Sequence, residues 1–477
     1  MDEKRPNILW VCTDQQRYDT VHALGNEHIR TPNLDRLVEE GVAFTNAYCQ
    51  SPVCTPSRAC FLTGQYPSTT HVNRNGNAYF PEGVELITKR LADVGYDCGL
   101  AGKLHLSAAE GRVEVRPDDG YRVFRWSHHP KPEDYWPTEK HDYQKWLTEQ
   151  GINWDGAYGG KTPDGSALQG DYRPGIDAAH HQTTWCAEEA IAFMQEEREG
   201  PWLMSVNPFD PHPPFDPPAD YLERMDVEAM PLPLFRLEEL ESQLDFRDID
   251  HQTELPRSPH DYDARLMVAA YYAQIELIDR QVGRMLDALE ASGQRNDTVV
   301  IFMSDHGEML GDHGLLLKGC RFYEGAVHVP LVVSWPGHFE EGLRSGALVE
   351  LTDIVPTLYE VLSLSVPEDV QGVSLLPILM GQRNPDMHRD AVRSEYHDAL
   401  AGPHASHANM LFDGRYKLVV YHGHEVGELY DLEEDPQEFY NLWEDAEFEN
   451  LKYQLMKHLF DKIMLATDPG QPRVGRF

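Results

Sequence analysis

Runs of consecutive apolar residues recur along the first two thirds of the chain, and segments with helical periodicity separate them. The predicted strands are 7–12, 42–48, 95–102, 201–207, 297–303 and 329–335. The predicted helices are 31–41, 84–94, 182–197, 263–291 and 353–362. Unbroken apolar runs are typical of strands that are buried on both faces of a parallel sheet. The alternation predicts an α/β fold in which helices cover both faces of a parallel sheet.

The pattern changes after about residue 385. Short strand-like runs at 391–396, 409–412, 416–421 and 428–431 precede a helix at about 445–465. They predict a small α+β unit with an antiparallel sheet and one helix. We therefore divide the chain into a large α/β domain, 1–384, and a C-terminal α+β subdomain, 385–477.

Residues 106–180 are rich in Gly, Pro, Trp, Tyr and His and have weak periodicity. They predict a long, irregular insertion that faces the substrate, because long loops in compact domains usually have a function. Its candidate substrate contacts, with an ordinary surface position as the alternative, are Arg125, His128, His129, His180 and His181.

Hydropathy and cysteine usage limit the class of protein. No apolar run approaches the ~20 residues of a membrane helix, and residues 1–6 lack the features of a signal peptide. The sequence therefore predicts a cytoplasmic protein without membrane contact. The seven cysteines are scattered singly and form no CxxC pair, which disfavours a disulfide framework or a structural zinc site.

The formal net charge of −38 argues against nucleic acid or an anionic membrane as a partner. It also sets a condition on the active site. If the substrate is an anion, the charge of the whole protein repels it. The site must then supply a local cluster of cations.

Two of the buried strand runs end in a carboxylate. Asp14 follows the first run and Asp305 follows the run at 297–303, and their neighbours are Gln15 and His306. Ligands of open α/β sheets bind at the carboxyl ends of the strands. Oxygen ligands suit Ca²⁺ or Mg²⁺, and the imidazole also admits Mn²⁺ or Zn²⁺. The alternative for Asp14 is a cap on the following turn.

A third stretch, Cys54-Thr55-Pro56-Ser57-Arg58, predicts a helix start, because proline suits the first turn of a helix. Cys54 then lies among backbone N–H groups and close to Arg58. Such a position favours an anion and a nucleophile. The alternative is a small buried hydrophobic residue.

Further cationic candidates follow other predicted strands. Lys103 and His105 lie on one face at strand spacing, with a solvated edge as the alternative. His212 is flanked by prolines that fix its backbone; a rigid imidazole suits acid–base chemistry, and a structural turn is the alternative. Lys318 lies in a glycine-bearing loop. Together with Arg58, these side chains supply the required local cations, and cations beside a metal stabilise the displacement of a tetrahedral oxyanion.

On these residues the chain resembles the type I sulfatases of the alkaline-phosphatase superfamily. The matching motifs span nearly the whole chain in the order of the family. They are the Asp14 strand, Cys54-x-Pro56-x-Arg58 with Leu62-Thr63-Gly64, Gly102-Lys103-Leu104-His105, His212, Asp305-His306-Gly307, Lys318, Glu428-Leu429-Tyr430-Asp431-Leu432, Asp435-Pro436 and Asn441-Leu442. The resemblance implies a large, mixed, mostly parallel sheet between helices.

The resemblance also implies a mechanism. Cys54 is oxidised to formylglycine by a formylglycine-generating enzyme, and the hydrate of this aldehyde attacks the sulfur of a small-molecule or saccharide sulfate ester. The implied ligands of one divalent ion, with Ca²⁺ the first expectation, are Asp14, Gln15, residue 54, Asp305 and His306. Arg58 and Lys103 stabilise the hydrate and the transferring group. His105 is the base for elimination of sulfate, and His212 and Lys318 bind the sulfate and protonate the leaving oxygen.

Gln15 and His306 depart from the aspartate and asparagine of many sulfatases and resemble the phosphonate monoester hydrolase branch. Lys103 and His105 are sulfatase-like. We therefore predict a sulfate monoester hydrolase, with phosphonate monoester or phosphodiester hydrolysis as the alternative. A non-catalytic binding protein on the same scaffold is a second alternative, which the intact site positions disfavour. The sequence leaves open whether the chain forms a homo-oligomer.

Overall fold

The computed structural model describes residues 5–109, 111–131, 136–158, 175–402 and 405–467. The strands in these ranges form two sheets. The larger sheet contains β1 (Asn7–Thr13), β2 (Val42–Tyr48), β3 (Asp97–Gly102), β4 (Tyr121–Trp126), β5 (Trp202–Asn207), β6 (Thr298–Ser304), β7 (Leu331–Ser334) and β8 (Leu343–Glu350). The smaller sheet contains β9 (Val392–His397), β10 (His407–Phe412), β11 (Tyr416–Tyr421) and β12 (Gly427–Asp431).

The larger sheet has the strand order β4-β3-β5-β1-β6-β7-β2-β8. Its pairings are parallel except those of β7, which runs antiparallel to β6 and to β2. Every residue of β1 and β6 is buried, as their unbroken apolar runs predict. The predicted mixed, mostly parallel sheet is confirmed.

Each face of this sheet has its own hydrophobic core. Ile8 and Trp10 of β1 contribute to one core, and Leu9 and Val11 contribute to the other. This division follows from strand geometry, because successive side chains point to opposite faces. The central strands therefore need apolar side chains at every position.

Helices cover both faces, as predicted. Those of the described residues are α1 (Pro32–Glu39), α2 (Cys54–Thr63), α3 (Pro67–Thr70), α4 (Ile87–Asp93), α5 (Asp142–Glu149), α6 (Trp154–Tyr158), α7 (Gln182–Met194), α8 (Ala219–Leu222), α9 (Glu239–Ser242), α10 (Ala264–Ala291), α11 (Glu324–Val327), α12 (Ile354–Val361), α13 (Leu376–Leu379) and α14 (Glu449–Leu465). Side chains of α1, α7 and α10 pack in the core with Leu9, and those of α2, α4 and α12 pack in the core with Ile8.

The smaller sheet is antiparallel in the order β12-β11-β10-β9. Leu411 and Leu418 of this sheet pack with Leu455 and Leu459 of α14. Met410, one residue along β10, packs instead in the core with Ile8. The predicted antiparallel sheet plus helix is confirmed, and the boundary at residues 384 and 385 stays a prediction.

The sequence pattern did not predict two of the strands, β4 and β8. β4 lies within the segment 106–180, so the expectation of an irregular segment is wrong there. The middle of this edge strand is partly exposed, and its polar residues interrupt the apolar run that would have predicted a strand. β8 begins with exposed and polar positions and contains Gly346, so its pattern resembles a loop. Both strands lie at edges of the larger sheet.

None of the helices among the described residues combines the length and the apolar character needed to cross a bilayer. The seven cysteines all lie in described ranges and are buried, free thiols.

Candidate active site

Two strand ends bring the carboxylates together. Thr13 pairs with Ser304 at the ends of the parallel strands β1 and β6, so Asp14 and Asp305 leave the sheet at one edge. Asp305 Oδ1 accepts hydrogen bonds from the backbone N–H of Gln15 at 3.0 Å and of His306 at 2.9 Å. Both carboxylates are fully buried.

Cys54 is the first residue of α2, as the sequence predicts. Val53 before it is extended, and Gly64 ends the helix with a φ of 73°. Glycine adopts this left-handed conformation without steric cost, and its N–H caps the carbonyl of Cys60. Every residue of the helix is buried, which places the Cys54 thiol in the interior.

The thiol faces the strand ends. Cys54 Sγ lies 3.1 Å from Nε2 of His306 and 3.6 Å from Oδ1 of Asp14. Burial and Asp14 act to raise the pKa of Cys54, but Lys103, Lys318 and His306 together lower it below the ordinary thiol value. The position of Sγ therefore favours negative charge, which suits a nucleophile or an anionic group of a substrate.

These side chains form a donor set for a cation. Ligand atoms of Asp14, Cys54, Asp305 and His306 all lie within 4.8 Å of one another, and all four residues are buried. Two carboxylates with one imidazole fit a divalent ion. The backbone N–H of Gln15 donates to Asp305 of this set, and the amide oxygen of Gln15 accepts a hydrogen bond from Lys318 Nζ.

Two buried cations neutralise the carboxylates. Arg58 Nε donates to Asp305 Oδ2 at 2.8 Å, and Lys103 Nζ pairs with Asp14 Oδ2. Arg58 Nη1 also donates to the backbone carbonyl of Lys103 at 2.9 Å. Nη2 of Arg58 is buried without a hydrogen-bond partner. Burial acts to raise the pKa of Asp14, but Lys103, His212 and Arg58 hold it well below its ordinary value. The unpartnered Nη2 leaves Arg58 a free donor.

His212 and Lys318 form a hydrogen-bonded pair. Lys318 Nζ lies 2.5 Å from His212 Nε2, and His212 Nδ1 lies 2.6 Å from the carbonyl of Pro213. Burial and Lys318 lower the pKa of His212 well below its ordinary value, so the imidazole is neutral and its Nε2 accepts a hydrogen bond from the ammonium of Lys318. The backbone N–H of Asp14 donates to the carbonyl of Asp210 at 3.1 Å, which fastens this loop to the site.

The backbone that leads from β3 to His105 does not continue as the predicted strand. β3 ends at Gly102, whose φ is 114°, and His105 itself has a φ of 57°. The expectation that Lys103 and His105 alternate at strand spacing is therefore wrong. The backbone N–H of His105 donates to Glu114 Oε2 at 2.9 Å, and its Nδ1 is buried without a hydrogen-bond partner.

The segment after β4 supplies histidines that the sequence did not distinguish from surface residues. His128 is buried, and its ring meets the ring of His105 edge-on at 5.2 Å. His129 and His181 are also buried and lie within salt-bridge distance of Asp216 and Asp210. The Trp and Tyr residues close to these histidines in the sequence were the signal that could have predicted their burial. Of the remaining candidates, Arg125 pairs with Glu189 and His180 pairs with Asp177.

Comparisons with known proteins agree with this geometry. The family model described as "Sulfatase" matches residues 6–364, and the model "N-sulphoglucosamine sulphohydrolase, C-terminal" matches residues 311–464. An arylsulfatase of Clostridium perfringens is 31% identical over 96% of this chain and 94% of its own length. An N-acetylglucosamine-6-O-sulfatase of Bacteroides thetaiotaomicron is 26% identical over 100% of this chain and 90% of its own length.

Among solved structures, a phosphonate monoester hydrolase of Agrobacterium radiobacter superimposes with a TM-score of 0.81 at 28% identity, covering 97% of this chain and 96% of its own. The strand-end carboxylates, the Cys54 helix start and the match over three quarters of the chain agree with one another. The chain belongs to the sulfatase family of the alkaline-phosphatase superfamily.

Proposed function

We propose that this sulfatase-family enzyme hydrolyses a sulfate monoester, with a formylglycine made from Cys54 as its nucleophile. The observation that carries the proposal is the position of Cys54 Sγ at a helix start, beside Asp14 and His306. Because all of α2 is buried, the formylglycine-generating enzyme has to reach Cys54 before the chain is folded. The substrate is a small-molecule or saccharide sulfate ester.

The donor set fits one divalent cation. Asp14, Asp305 and His306 would hold it with residue 54, and Gln15 offers an amide oxygen beside them. The bound cation supplies Lewis acidity and positive charge, which activate a hydroxyl of the formylglycine hydrate for attack on sulfur. The carboxylates favour Ca²⁺ and also suit Mg²⁺, and the imidazole of His306 accommodates Mn²⁺ or Zn²⁺ as well.

Arg58 and Lys103 hold the nucleophile and the transferring group. Both are pinned by strand-end carboxylates, so their positive charges need no rearrangement when charge develops on the substrate. The unpartnered Nη2 of Arg58 offers a hydrogen bond to a sulfate oxygen. Preorganised donors of this kind stabilise a transition state more than flexible ones.

The other three groups move protons. Lys318 Nζ donates a hydrogen bond to His212 Nε2, and this pair delivers a proton to the oxygen of the departing alcohol. His105 accepts the proton of the second hydroxyl of residue 54, which allows sulfate to leave and the aldehyde to re-form. Burial and Lys103 keep the pKa of His105 well below its ordinary value, so it is neutral and able to accept a proton.

This pKa predicts the pH dependence of turnover. A neutral histidine with a lowered pKa stays a base as the pH falls through the ordinary histidine range of about 6.5. We expect kcat to show no His105-dependent decrease between about pH 7 and about pH 6. His105→Gln should reduce kcat by about 10²–10⁴-fold. A decrease of kcat over this interval that disappears in the variant would contradict the lowered pKa of His105, and an unchanged kcat in His105→Gln would contradict its assignment as the base.

Phosphonate monoester or phosphodiester hydrolysis is the second candidate. Gln15 and His306 favour it, since the branch with this pairing includes phosphonate monoester hydrolases, and one such enzyme is similar in structure. Matched aryl sulfate and phenylphosphonate esters with the same leaving group test the order. We expect the larger kcat/KM for the sulfate, and a large preference for the phosphonate would reverse the order. Sulfated sugars, choline sulfate and further aryl sulfates then identify the alcohol.

A further inference from the structure

A buried carboxylate, Glu308, lies behind the proposed cation ligands. It follows β6 by four residues, its side chain is 1% exposed, and it is not one of the four residues of the donor set. Its Oε2 accepts a hydrogen bond from the side-chain amide of Gln15. Its Oε1 accepts the backbone N–H groups of Leu310, at 2.9 Å, and of Leu317.

The contact with Glu308 decides which end of the Gln15 amide faces the site. The two ends of an amide have nearly the same shape, but only the nitrogen donates. A carboxylate that already accepts two backbone N–H groups presents an acceptor, so the Gln15 nitrogen turns towards Glu308. The Gln15 oxygen then points away from Glu308, where it meets Lys318 Nζ.

The backbone of Gln15 cannot adjust in place of its side chain. Its N–H donates to Asp305 Oδ1 at 3.0 Å, and its carbonyl accepts the hydroxyl of Tyr271 at 2.7 Å. Its φ of 73° lies in the left-handed region, which a glutamine adopts only where its surroundings hold it. Rotation of the amide is therefore the freedom that remains, and Glu308 opposes it at the nitrogen while Lys318 holds the oxygen.

We propose that Glu308 is a positioning residue that fixes the amide oxygen of Gln15 towards the divalent cation. It also closes the loop between Leu310 and Leu317, which delivers Lys318 to the same place. The inference rests on the proposed function, because Gln15 acts as a ligand only if the donor set holds a cation. Groups behind a metal ligand typically change metal affinity by about 10–100-fold when they are replaced.

The variant Glu308→Gln keeps the shape of the side chain at position 308 but replaces one acceptor oxygen with a donor nitrogen. One oxygen remains for the loop N–H groups, while the new amide nitrogen opposes the nitrogen of Gln15. We expect the opposed nitrogens to displace the Gln15 amide from its position, and the Kd for Mn²⁺ or Ca²⁺ to rise by about 10–100-fold. Equilibrium binding of each ion alone to the metal-free protein measures this effect without turnover, and the thermal unfolding midpoint of the metal-free variant verifies that it is folded.

A double-mutant cycle with Gln15→Ala separates positioning from general loop damage. With no amide left to orient, Glu308→Gln should change the Kd less than about twofold in the Gln15→Ala background. An unchanged Kd in Glu308→Gln, or an equal loss in both backgrounds, overturns the proposal. A wild-type protein that binds the ion but hydrolyses neither sulfate nor phosphonate esters would instead refute the proposed function and leave the cycle readable.

Discussion

Replacing Cys54 with alanine is expected to reduce kcat/KM for an aryl sulfate by at least about 10⁴-fold, because removal of a nucleophile leaves only the contribution of the surrounding charges. The fold should survive. The thiol lies in a polar cluster and makes contacts of 3.1 Å with His306 and 3.6 Å with Asp14, and not in a hydrophobic core. Steady-state kinetics of the purified variant, with metal content determined in the same sample, measure the effect.

Cys60 provides the matched control. It lies in the same helix, is equally buried and is a free thiol, but it contacts none of the site residues named here. Cys60→Ala should keep kcat/KM within about tenfold of the wild-type value while lowering stability, as a small cavity in the interior does. If Cys54→Ala retained activity comparable to that of Cys60→Ala, residue 54 would not be the nucleophile.

Asp305→Asn should remove the bound cation and reduce kcat/KM by at least about 10³-fold, since it deletes a charged ligand and part of the charge that pins Arg58. The carboxylate accepts from Gln15 and His306 through one oxygen and from Arg58 through the other. An amide offers one acceptor and cannot serve both sides. The bound divalent ion per chain after gel filtration, together with kcat/KM, measures the loss.

The control for Asp305 is Asp312→Asn. Asp312 is also buried and pairs with an arginine, Arg17, at 2.7 Å, but it lies outside the donor set. Both variants remove one carboxylate charge from a buried ion pair, at a cost in stability of a few kcal/mol. Asp312→Asn should retain its cation. A wild-type metal content and full activity in Asp305→Asn would refute the proposed metal site.

The strand-end carboxylates could be located from the sequence because two short-range rules meet there. An unbroken apolar run identifies a central parallel strand, and such strands place their carboxyl ends at one edge. Asp14 and Asp305 satisfy both rules, and the paired ends of β1 and β6 bring them together. Cys54 was predictable for a similar reason, since the proline after it marks the first turn of a helix.

Other parts of the site depend on contacts that no local pattern encodes. His105 leaves the strand path because Gly102 and His105 adopt left-handed conformations. Nothing in the sequence distinguishes Glu308 from a surface glutamate. Its proposed positioning role depends on a loop that brings the backbone N–H of Leu317 back to its carboxylate. The sequence did not predict β4, because a strand at the edge of a sheet needs fewer apolar residues than a central one.

The net charge gave a condition that the structure meets. A chain with a net charge of −38 needs local cations to hold an anion. Lys103, Lys318 and His306 lower the pKa of Cys54 despite burial and Asp14, and Arg58 also lies close enough to interact with the thiol. The sequence predicted Arg58, Lys103 and Lys318 as the local cations, each from its position after a predicted strand, at a helix start or in a glycine-bearing loop, and the fold brings them together.

Mass spectrometry of the peptide that contains Cys54 tests the central claim most directly. The enzyme is purified from its own host, and turnover of an aryl sulfate is measured on the same sample. The account predicts an aldehyde in place of the thiol, in a fraction that rises and falls with kcat across preparations. A fully active preparation in which Cys54 is an unmodified thiol would contradict it.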